Sequence, residues 1–523
     1  MTWKETDPQG AESAKCRWDV VRYTRGKGLD VGCGPWKQFP HWIGVDNRAD
    51  TQLFGVQMDP DVMVETAEDL SLFASGSLDF VFSSHLLEHI AYEKVPATLK
   101  EWLRVLKVGG YLVLYLPDED QYPKVGEHGA NPDHKWNVNY DRVLEAMSGS
   151  WDLVKFEKRD QGMEYSLLFV FKKTQGVARA FSYKNPKPEK TAGVVRYGAI
   201  GDLIQASSVL AGLKKQGYHI TLYCSPPQCD VVAHDPNVDD FYYQDKDQVP
   251  NHYLAEFWAN ESKKYDKWVN LSESVEGSFL ALPTRALHGW PPALRHRLMN
   301  MNYLEAQHML AGVPHVPEVR FYPTKAEEEW ARKQRARMGE FLICWPLAGS
   351  SVHKKWHGLD NIIAATLLHF PQVHFCLMGG PGDAVYEAGW EKEPRVHCSA
   401  GKFSIRESLS LILQADMLIG PETGLMNAAS QLQAPKVVFL SHSTHENLTR
   451  DWTNVHPIWS GHTVCPGRGN NEAPACHQLH YTWEHCKQDK GTGVAQCMAD
   501  LDPAEVYKVV WHCITWALEA KAA

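Results

Sequence analysis

Two short glycine-containing segments, far apart in the chain, each follow an apolar run that reads as a β-strand. The first is LDVGCG at residues 29–34, and the second is RYGAIGD at residues 196–202. Glycine lets the backbone approach a bound nucleotide where a side chain would clash, and a strand that runs into such a turn is typical of Rossmann-like folds. The chain is therefore predicted to contain two separate nucleotide-cofactor sites.

The composition indicates a large globular protein. Of 523 residues, 44% are hydrophobic and 22% charged, enough for roughly three domain-sized cores. There is no run long and apolar enough to span a membrane and no secretory signal pattern, so a cytoplasmic location is expected. The net charge of -10 argues against nonspecific nucleic-acid binding, and no stable nucleic-acid partner is expected. Twelve scattered cysteines predict reduced thiols.

A polar, proline-containing segment at residues 175–190 divides the chain. Strand-like and helical runs alternate before it, and they alternate again after it in two halves separated by a charged helix at 324–338. Such alternation favours parallel sheets, so the predicted fold class is α/β, one Rossmann-like domain followed by two Rossmann-like lobes. The predicted strands are 28–31, 42–46, 62–65, 79–83, 110–116, 152–157, 165–172, 192–196, 219–223, 341–345, 373–378, 417–420 and 436–440.

Further short motifs accompany the first glycine segment: VD at 45–46, AEDL at 67–70, LDFVFS at 78–83 and LKVGGY at 106–111. With them, about residues 20–173 resemble the class I S-adenosylmethionine-dependent methyltransferases. The resemblance implies S-adenosyl-L-methionine as cofactor. It also implies these roles: a methionine pocket shaped by Asp30, Gly32 and Gly34, a ribose contact from Asp46, an adenine neighbour in Asp69, and a floor formed by Ser83 and His85.

Methyl transfer to a hydroxyl or amine needs a base, although positioning supplies much of the rate. His85, Glu88 and His89 are spaced to share one face of a helix, which makes all three candidate bases. Of these, His85 and Glu88 are the candidate catalytic residues, and His134 is a weaker alternative. The alternative is that Glu88 and His89 only organise a turn. Only seven residues separate Gly34 from Trp42, where the family often has a helix, and this shortening favours a second alternative, a noncatalytic domain.

The second glycine segment continues as GDLIQASSVL at 201–210 and is followed by WPLAGS at 345–350, KKW at 354–356 and GPETGLMNAA at 420–429. Over about residues 192–515 these motifs resemble glycosyltransferase family 9, the ADP-heptose heptosyltransferases. The resemblance implies a GT-B fold with the acceptor on the first lobe and a nucleotide sugar, such as ADP-heptose, on the second. It further implies inversion without a metal, and the expected acceptor is a glycan or lipid-linked saccharide.

Asp202 is the candidate base for this second reaction, because it follows a glycine turn at a predicted helix start; the alternative role is a helix cap. The leaving nucleoside diphosphate needs fixed donors. The candidates for donor binding are Ser350, Lys354 in preference to Lys355, Glu422, Thr423 and Gly424, with Ser351 as a secondary candidate. Glu422 and Asn427 depart from the usual family pattern, which indicates a changed donor sugar.

Four cysteines near the end, Cys465, Cys476, Cys486 and Cys497, recur at nearly even spacing among His477, His480 and His485. Structural zinc sites use close cysteine pairs that are missing here, so no metal ligand is assigned. The resemblance to heptosyltransferases implies a packed cysteine cluster, and metal binding or disulfides stay open as alternatives.

Together the two resemblances predict a bifunctional enzyme that transfers a sugar and carries a methyltransferase for the same pathway. The predicted domains are a methyltransferase-like domain (1–174), a linker (175–190), an acceptor lobe (191–338), a nucleotide-sugar lobe (339–462) and a tail with a closing helix (463–523). Two alternatives remain at this point: a glycosyltransferase acting on modified DNA, and a noncatalytic nucleotide- or glycan-binding scaffold.

Overall fold

The computed structural model describes residues 12–49, 52–53, 56–175, 188–273, 291, 294, 301–441, 443–459 and 486–522. These residues form two compact units. Unit 1 contains the described residues of Met1–Lys187 and Tyr243–Lys264, and unit 2 contains those of Pro188–Tyr242 and Tyr265–Ala523. Most of the predicted linker at 175–190, and Cys465, Cys476, His477, His480 and His485, lie outside the described residues.

Unit 1 is built on one large sheet and a separate antiparallel strand pair. Its strands are β1 (Gly28–Val31), β2 (Ile43–Asp46), β3 (Gln52–Leu53), β4 (Val56–Gln57), β5 (Val62–Met63), β6 (Leu78–Ser84), β7 (Leu106–Pro117), β8 (Trp151–Arg159) and β9 (Ser166–Lys173). The large sheet has the order β5-β2-β1-β6-β7-β9-β8, and only β9 runs antiparallel to its neighbours. The chain leaves β1 toward β2 on one side and returns to β6 on the other, so the strand order reverses beside β1.

Helices cover this sheet because their apolar residues recur at helical spacing. The helices of unit 1 are Glu12–Lys15, Arg17–Val20, Val95–Val105, Tyr140–Ala146 and Leu254–Ser262. The helix Val95–Val105 buries Leu99 and Trp102 completely, and the Trp102 indole donates to Ala67 O at 2.8 Å. Burial of each large apolar side chain contributes about 1.5–3 kcal/mol, which fixes this helix against the sheet.

The segment Tyr243–Lys264 lies inside the range predicted for the acceptor lobe, yet it groups with unit 1. Its helix packs against the first helices of the chain. The Trp18 indole donates to Glu256 at 2.9 Å, Lys264 pairs with Asp19 at 3.0 Å, and the Gln248 amide donates to the Val21 carbonyl at 2.7 Å. Distant pairing of this kind leaves no periodic signal in the sequence.

Unit 2 contains two sheets. The strands of the first lobe are β10 (Thr191–Val195), β11 (His219–Cys224), β12 (Asp240–Tyr243) and β13 (Lys267–Asn270), and those of the second are β14 (Phe341–Pro346), β15 (Val373–Met378), β16 (Val396–Cys398), β17 (Met417–Pro421), β18 (Lys436–Phe439) and β19 (Val455–Ile458). The sheet orders are β12-β11-β10-β13 and β16-β15-β14-β17-β18-β19. The strand order therefore reverses between β10 and β13 and between β14 and β17.

The helices of unit 2 are Ile200–Ser207, Leu210–Lys215, Pro226–Val231, Tyr303–Ala311, Lys325–Arg335, Leu359–His369, Ile405–Ile412, Gly424–Ala428, Gln496–Ala499 and Pro503–Ala522. A buried arginine of the second lobe, Arg406, joins the two lobes. Its guanidinium pairs with Glu327 at 2.6 Å and donates to the carbonyl oxygens of Asp230 and Val231 at 2.9 and 3.1 Å. These contacts fix the second lobe against the first within unit 2.

The three parallel-type sheets confirm the predicted fold class, α/β with one Rossmann-like domain and two further Rossmann-like lobes. The sequence missed β12, β13, β16 and β19, which have three or four residues each, and the two-residue strands β3 and β4. The prediction of reduced thiols is wrong at one pair, since Cys224 and Cys229 form a disulfide; proximity across a strand end brings them together. In the part of the chain that the structure describes, none of the helices has the length and hydrophobicity to cross a membrane.

Candidate functional sites

The first candidate site lies at the carboxyl ends of β1 and β6 in unit 1. Open α/β sheets bind ligands outside the carboxyl ends of their strands, where the strand order reverses. Gly32 and Gly34 follow β1 with φ angles of 76° and 56°, a region that favours glycine. A Cβ on Gly34 would meet no atom of a described residue within 4 Å, whereas one on Gly32 would lie 2.7 Å from Leu86. The backbone at Gly34 thus borders space in which a ligand can lie.

Two carboxylates accompany this glycine turn. Asp46, at the end of β2, accepts a hydrogen bond from Gly34 N at 3.1 Å and another from Asn47 N at 2.8 Å. Asp30 is buried in β1, and its burial, together with the negative charge of Asp46, raises its pKa well above the usual range. The residues predicted to contact methionine and ribose therefore form one cluster at the switch point.

The short connection after Gly34 contains no helix, as predicted from its length. A buried lysine holds it instead. Lys37 pairs with Asp61 at 2.8 Å and donates to the Trp42 carbonyl at 2.9 Å. The connection is thereby tied to the start of β2, and the glycine turn keeps a defined conformation without a full helix.

Ser83 and Asp69 each form a hydrogen bond with another residue of the chain. The buried Ser83 hydroxyl donates to the Val31 carbonyl at 2.9 Å, which ties β6 to β1 beneath the glycine turn. Asp69 is exposed, and it accepts a hydrogen bond from Ser71 N at 2.8 Å that lowers its pKa. Ser83 thus ties two strands together, and Asp69 lies at the surface. The predicted roles of Ser83 in the floor of the site and of Asp69 beside the adenine stay predictions.

A polar cluster follows β6. The expected helical face is replaced by a single 3-10 turn, Leu87–His89, and His85 precedes it with a φ of 49°. The Glu88 carboxylate is fully buried, with His85 Nδ1 and His134 Nε2 at 3.5 and 3.7 Å from its Oε1. The rings of His89 and His134 are 4.9 Å apart. Glu88 is thus surrounded by imidazoles.

His134 lies in a loop that is distant in sequence from Glu88. Lys135 N donates to the Glu88 carbonyl at 2.8 Å, and the Trp136 indole donates to the Leu87 carbonyl at 3.2 Å. These bonds dock the loop on the turn after β6. From the sequence, His134 was only a weak base candidate, because the motif DHK does not indicate that its histidine lies next to Glu88.

Burial dominates the electrostatics of this cluster. It raises the pKa of Glu88 to about 8 and lowers the pKa of His134 to about 4. Burial and the neighbouring His134 lower the pKa of His85 to about 3, and His85 Nε2 shares a hydrogen bond of 3.0 Å with Ser166 Oγ. His85 is therefore a weak base, whereas the pKa of Glu88 lies near neutrality, where proton transfer is most effective.

Glu88, His89 and His134 also form a group that can hold a metal ion. Each offers one ligand atom, and the three atoms lie within 4.8 Å of one another. The sequence assigned no metal ligands, because two of these residues lie on one turn and the third lies 45 positions later in a loop.

The second candidate site lies in unit 2, where Asp202 occupies the first turn of the helix after β10. Its Oδ2 accepts a hydrogen bond from Ala199 N at 2.7 Å, and its Oδ1 lies 3.3 Å from Nη2 of the buried Arg196. The bond to Ala199 is the helix-capping role that the sequence left as an alternative. The side chain is still 25% exposed, so an acceptor can reach it.

The loop after β14 contains the second motif. A Cβ on Gly349 would lie 2.5 Å from Cδ of Lys354, so the Lys354 side chain crosses directly over this glycine. Lys355 points elsewhere, with its ammonium 5.6 Å from the centre of the Tyr386 ring. Ser350 is exposed, while the hydroxyl of Ser351 is buried and has no hydrogen-bond partner among the described residues. The loop thus favours Lys354 over Lys355 as a ligand contact.

The third motif follows β17. The buried Glu422 accepts hydrogen bonds from Ser441 N and Oγ at 2.9 and 2.5 Å, and Ser441 Oγ lies 2.6 Å from His353 Nδ1. This series of hydrogen bonds connects the loops after β14, β17 and β18. Thr423 precedes a helix of only five residues, and its buried hydroxyl lacks a hydrogen-bond partner in the described part of the chain.

The motifs of the two lobes meet within unit 2. A Cβ on Gly201 would lie 3.1 Å from the Cα of Gly424, so two backbones approach where only glycine fits. The buried Tyr303 lies close enough to both Glu422 and Asp202 for their charges to add to burial in raising its pKa. Asp202 of the first lobe is therefore brought beside Glu422 to Gly424 of the second.

With this geometry in place, comparison with known proteins identifies one of the two regions. Residues 29–114 match the family model of a methyltransferase domain. The match includes β1, β2, β6 and most of β7, and it confirms the methyltransferase resemblance drawn from the motifs. A search of curated proteins returns no matching sequence.

Several solved structures are similar to parts of the chain, and three of them are as follows. E. coli ADP-heptose lps heptosyltransferase II is 15% identical, with 64% of this chain and 100% of that chain covered and a TM-score of 0.44. The glycosyl transferase family 9 protein from Veillonella parvula is 18% identical, with 52% of this chain and 86% of that chain covered and a TM-score of 0.40. A SAM dependent methyltransferase from Archaeoglobus fulgidus is 19% identical, with 32% of this chain and 96% of that chain covered and a TM-score of 0.25.

Proposed function

We propose that the chain is a bifunctional transferase, in which the methyltransferase domain uses S-adenosyl-L-methionine and unit 2 transfers a sugar from a nucleotide donor to a saccharide acceptor. One observation carries the second half of this proposal. Two buried hydroxyls, Ser351 Oγ and Thr423 Oγ1, have no hydrogen-bond partner among the described residues. They lie in the segments that follow the adjacent strands β14 and β17. Buried polar groups are normally bonded, so these two are suited to a polar ligand at the switch point.

In the methyltransferase domain, the open space at Gly34 and the neighbouring carboxylate of Asp46 fit an adenosine cofactor. The cofactor supplies an activated methyl group, so the protein mainly binds and orients the two substrates. Asp46 would hold the ribose, and Asp30, Gly32 and Gly34 would surround the methionine part. We assign the handling of the acceptor proton to the cluster around Glu88 rather than to His85, whose lowered pKa makes it a weak base.

In unit 2, Asp202 would take the proton of an acceptor hydroxyl as the oxygen attacks the anomeric carbon from the face opposite the leaving group. The bond to the diphosphate breaks, and its electron pair stays on a phosphate oxygen. Lys354, Thr423 and Ser351 would stabilise that charge, with Ser350 at the entrance and Glu422 holding the loops in place. We propose that this inverting reaction proceeds on these fixed donors without a metal.

The motifs at 345–356 and 420–429 resemble those of heptosyltransferases, so we propose ADP-heptose or a related nucleotide sugar as donor. The proposed acceptor is a glycan or lipid-linked saccharide. Methylation of the added sugar or of its acceptor would link the two activities, since a tether raises the effective concentration of the second site to about millimolar.

Binding to the full-length protein tests both halves. Isothermal titration would be run with S-adenosyl-L-methionine and with ADP-, UDP- and GDP-sugars. We expect Asp46→Asn to weaken only cofactor binding and Thr423→Val to weaken only sugar-nucleotide binding, while Thr423→Ser, which keeps the hydroxyl, binds like the wild type. Binding of one ligand class alone would remove the other activity from the proposal. Binding of neither would favour a noncatalytic scaffold.

A further inference from the structure

Within the described part of the chain, the buried carboxylate of Glu88 lacks the hydrogen bonds that its burial requires. Neither of its oxygens accepts a hydrogen bond from any described residue, although the side chain is fully buried. An unpaired carboxylate inside a protein is unfavourable, and such groups are usually paired or coordinate a metal. Two imidazoles, those of His89 and His134, complete a three-residue group around it.

We propose that Glu88, His89 and His134 bind one divalent transition-metal ion in the methyltransferase domain. Imidazole and carboxylate ligands together suit zinc, iron or manganese in the divalent state. Three protein ligands leave coordination positions open, as in catalytic rather than structural sites. The half-buried His89 is the most accessible of the three and gives the ion a route from solvent.

The backbone around the group is already arranged for this role. The 3-10 turn fixes Glu88 and His89 as neighbours, and the bonds from Lys135 N and the Trp136 indole hold the loop of His134 against that turn. Ligand atoms at metal distances of about 2.0–2.2 Å stand roughly 3–3.5 Å apart around the ion. Glu88 Oε1 and His134 Nε2 are 3.7 Å apart, so small side-chain rotations close the site.

An ion here would act on the methyl acceptor. The cluster follows β6 at the switch point, beside the predicted cofactor site, and the open coordination positions would bind an acceptor with two adjacent oxygens, such as a sugar diol. This role rests on the proposed methyltransferase function. Binding of the ion itself depends only on the three side chains.

The test uses the full-length protein after treatment with a chelator. Cobalt(II) would be titrated and followed by its visible absorption, with zinc(II) as competitor, and S-adenosyl-L-methionine binding would be measured on the same samples. We expect Glu88→Gln and His134→Gln each to weaken binding of one ion by more than roughly 100-fold. His128→Gln is the matched control, because His128 is an exposed histidine of the same region.

Thermal unfolding would show that each variant is folded. Ion binding that is equal in the wild type, Glu88→Gln and His134→Gln, or no ion binding at all, would overturn the metal site. If S-adenosyl-L-methionine binds and no ion does, only this inference fails. If an ion binds through the three residues but S-adenosyl-L-methionine does not, the metal site stands and the proposed methyltransferase function fails.

Discussion

The acidic side chains of the two candidate sites have different surroundings. In the methyltransferase domain, the Glu88 carboxylate receives no hydrogen bond from a described residue, and burial raises its pKa to about 8. In unit 2, Glu422 accepts two hydrogen bonds from Ser441, and Asp202 accepts one from Ala199 N beside Arg196. Burial without donors favours the neutral form of Glu88, whereas the two acids of unit 2 have hydrogen-bond donors or a cation beside them.

The largest effect that tests this contrast is expected at Asp202. The variant Asp202→Asn keeps an oxygen that can accept from Ala199 N, but it cannot take a proton from the acceptor. We expect the rate of sugar transfer to fall about 10²–10⁴-fold. The measurement is single-turnover transfer from a nucleotide sugar. Donor binding and methyl transfer serve as controls, and a variant that transfers sugar at the normal rate would show that the cap is the only role of Asp202.

A buried lysine in unit 2, Lys436, extends the comparison from acids to a basic side chain. Lys436 is fully buried and donates to the carbonyls of Leu432 and Ala434, and burial lowers its pKa from 10.5 to about 7. Between pH 7 and 10.5 the unfolded chain keeps this proton and the folded chain has lost it. The free energy of unfolding should therefore rise with pH in this window, by at most about 1.4 kcal/mol per pH unit.

Chemical denaturation of the wild type and Lys436→Met across this pH range would measure the effect. We expect the slope to be absent in Lys436→Met and unchanged in Lys214→Met, which removes a lysine paired with Asp239 near the surface. Equal slopes in the wild type and Lys436→Met would mean that Lys436 stays charged in the folded protein.

A smaller effect separates the two neighbouring lysines after β14. Lys354 crosses Gly349, whereas Lys355 lies over Tyr386. We expect Lys354→Ala to weaken binding of the donor by about 10–100-fold, because a charge-assisted hydrogen bond contributes about 1.5–3 kcal/mol. Lys355→Ala should change affinity little. Calorimetric titration checks this, and a larger loss in Lys355→Ala would reverse the assignment.

The smallest effect concerns the glycine turn of the methyltransferase domain. Gly34 and Gly162 both have positive φ, 56° and 69°, and within the described part of the chain a Cβ on either would meet no atom within 4 Å. Each substitution by alanine should cost about 1 kcal/mol of stability, since an L-residue is strained there. Only Gly34→Ala should also weaken S-adenosyl-L-methionine binding, by about 10-fold. Equal affinities in the two variants would place the cofactor away from Gly34.

Much of the fold could be predicted from the sequence because long buried strands are apolar and end at glycine turns. The strand predicted at 373–378 matches β15, and those predicted at 28–31 and 417–420 match β1 and most of β17. Strands of three or four residues, such as β16, contain too few positions for a period to be recognised. The position of Tyr243–Lys264 was also beyond sequence, because it depends on contacts with residues more than 200 positions away.

The sequence by itself determined that this chain is α/β and that glycine turns follow β1 and β10. It also placed Asp46 at the end of a strand, Thr423 just after one, and Lys354 in the loop that follows β14. Local chemistry suffices for this, because strand periodicity and glycine act over a few residues. Only the tertiary structure decided which strand ends are adjacent. It also brought Gly201 into contact with Gly424 and placed His134 next to Glu88. These depend on the packing of distant segments, whose mutual burial sets both their positions and the pKa of Glu88.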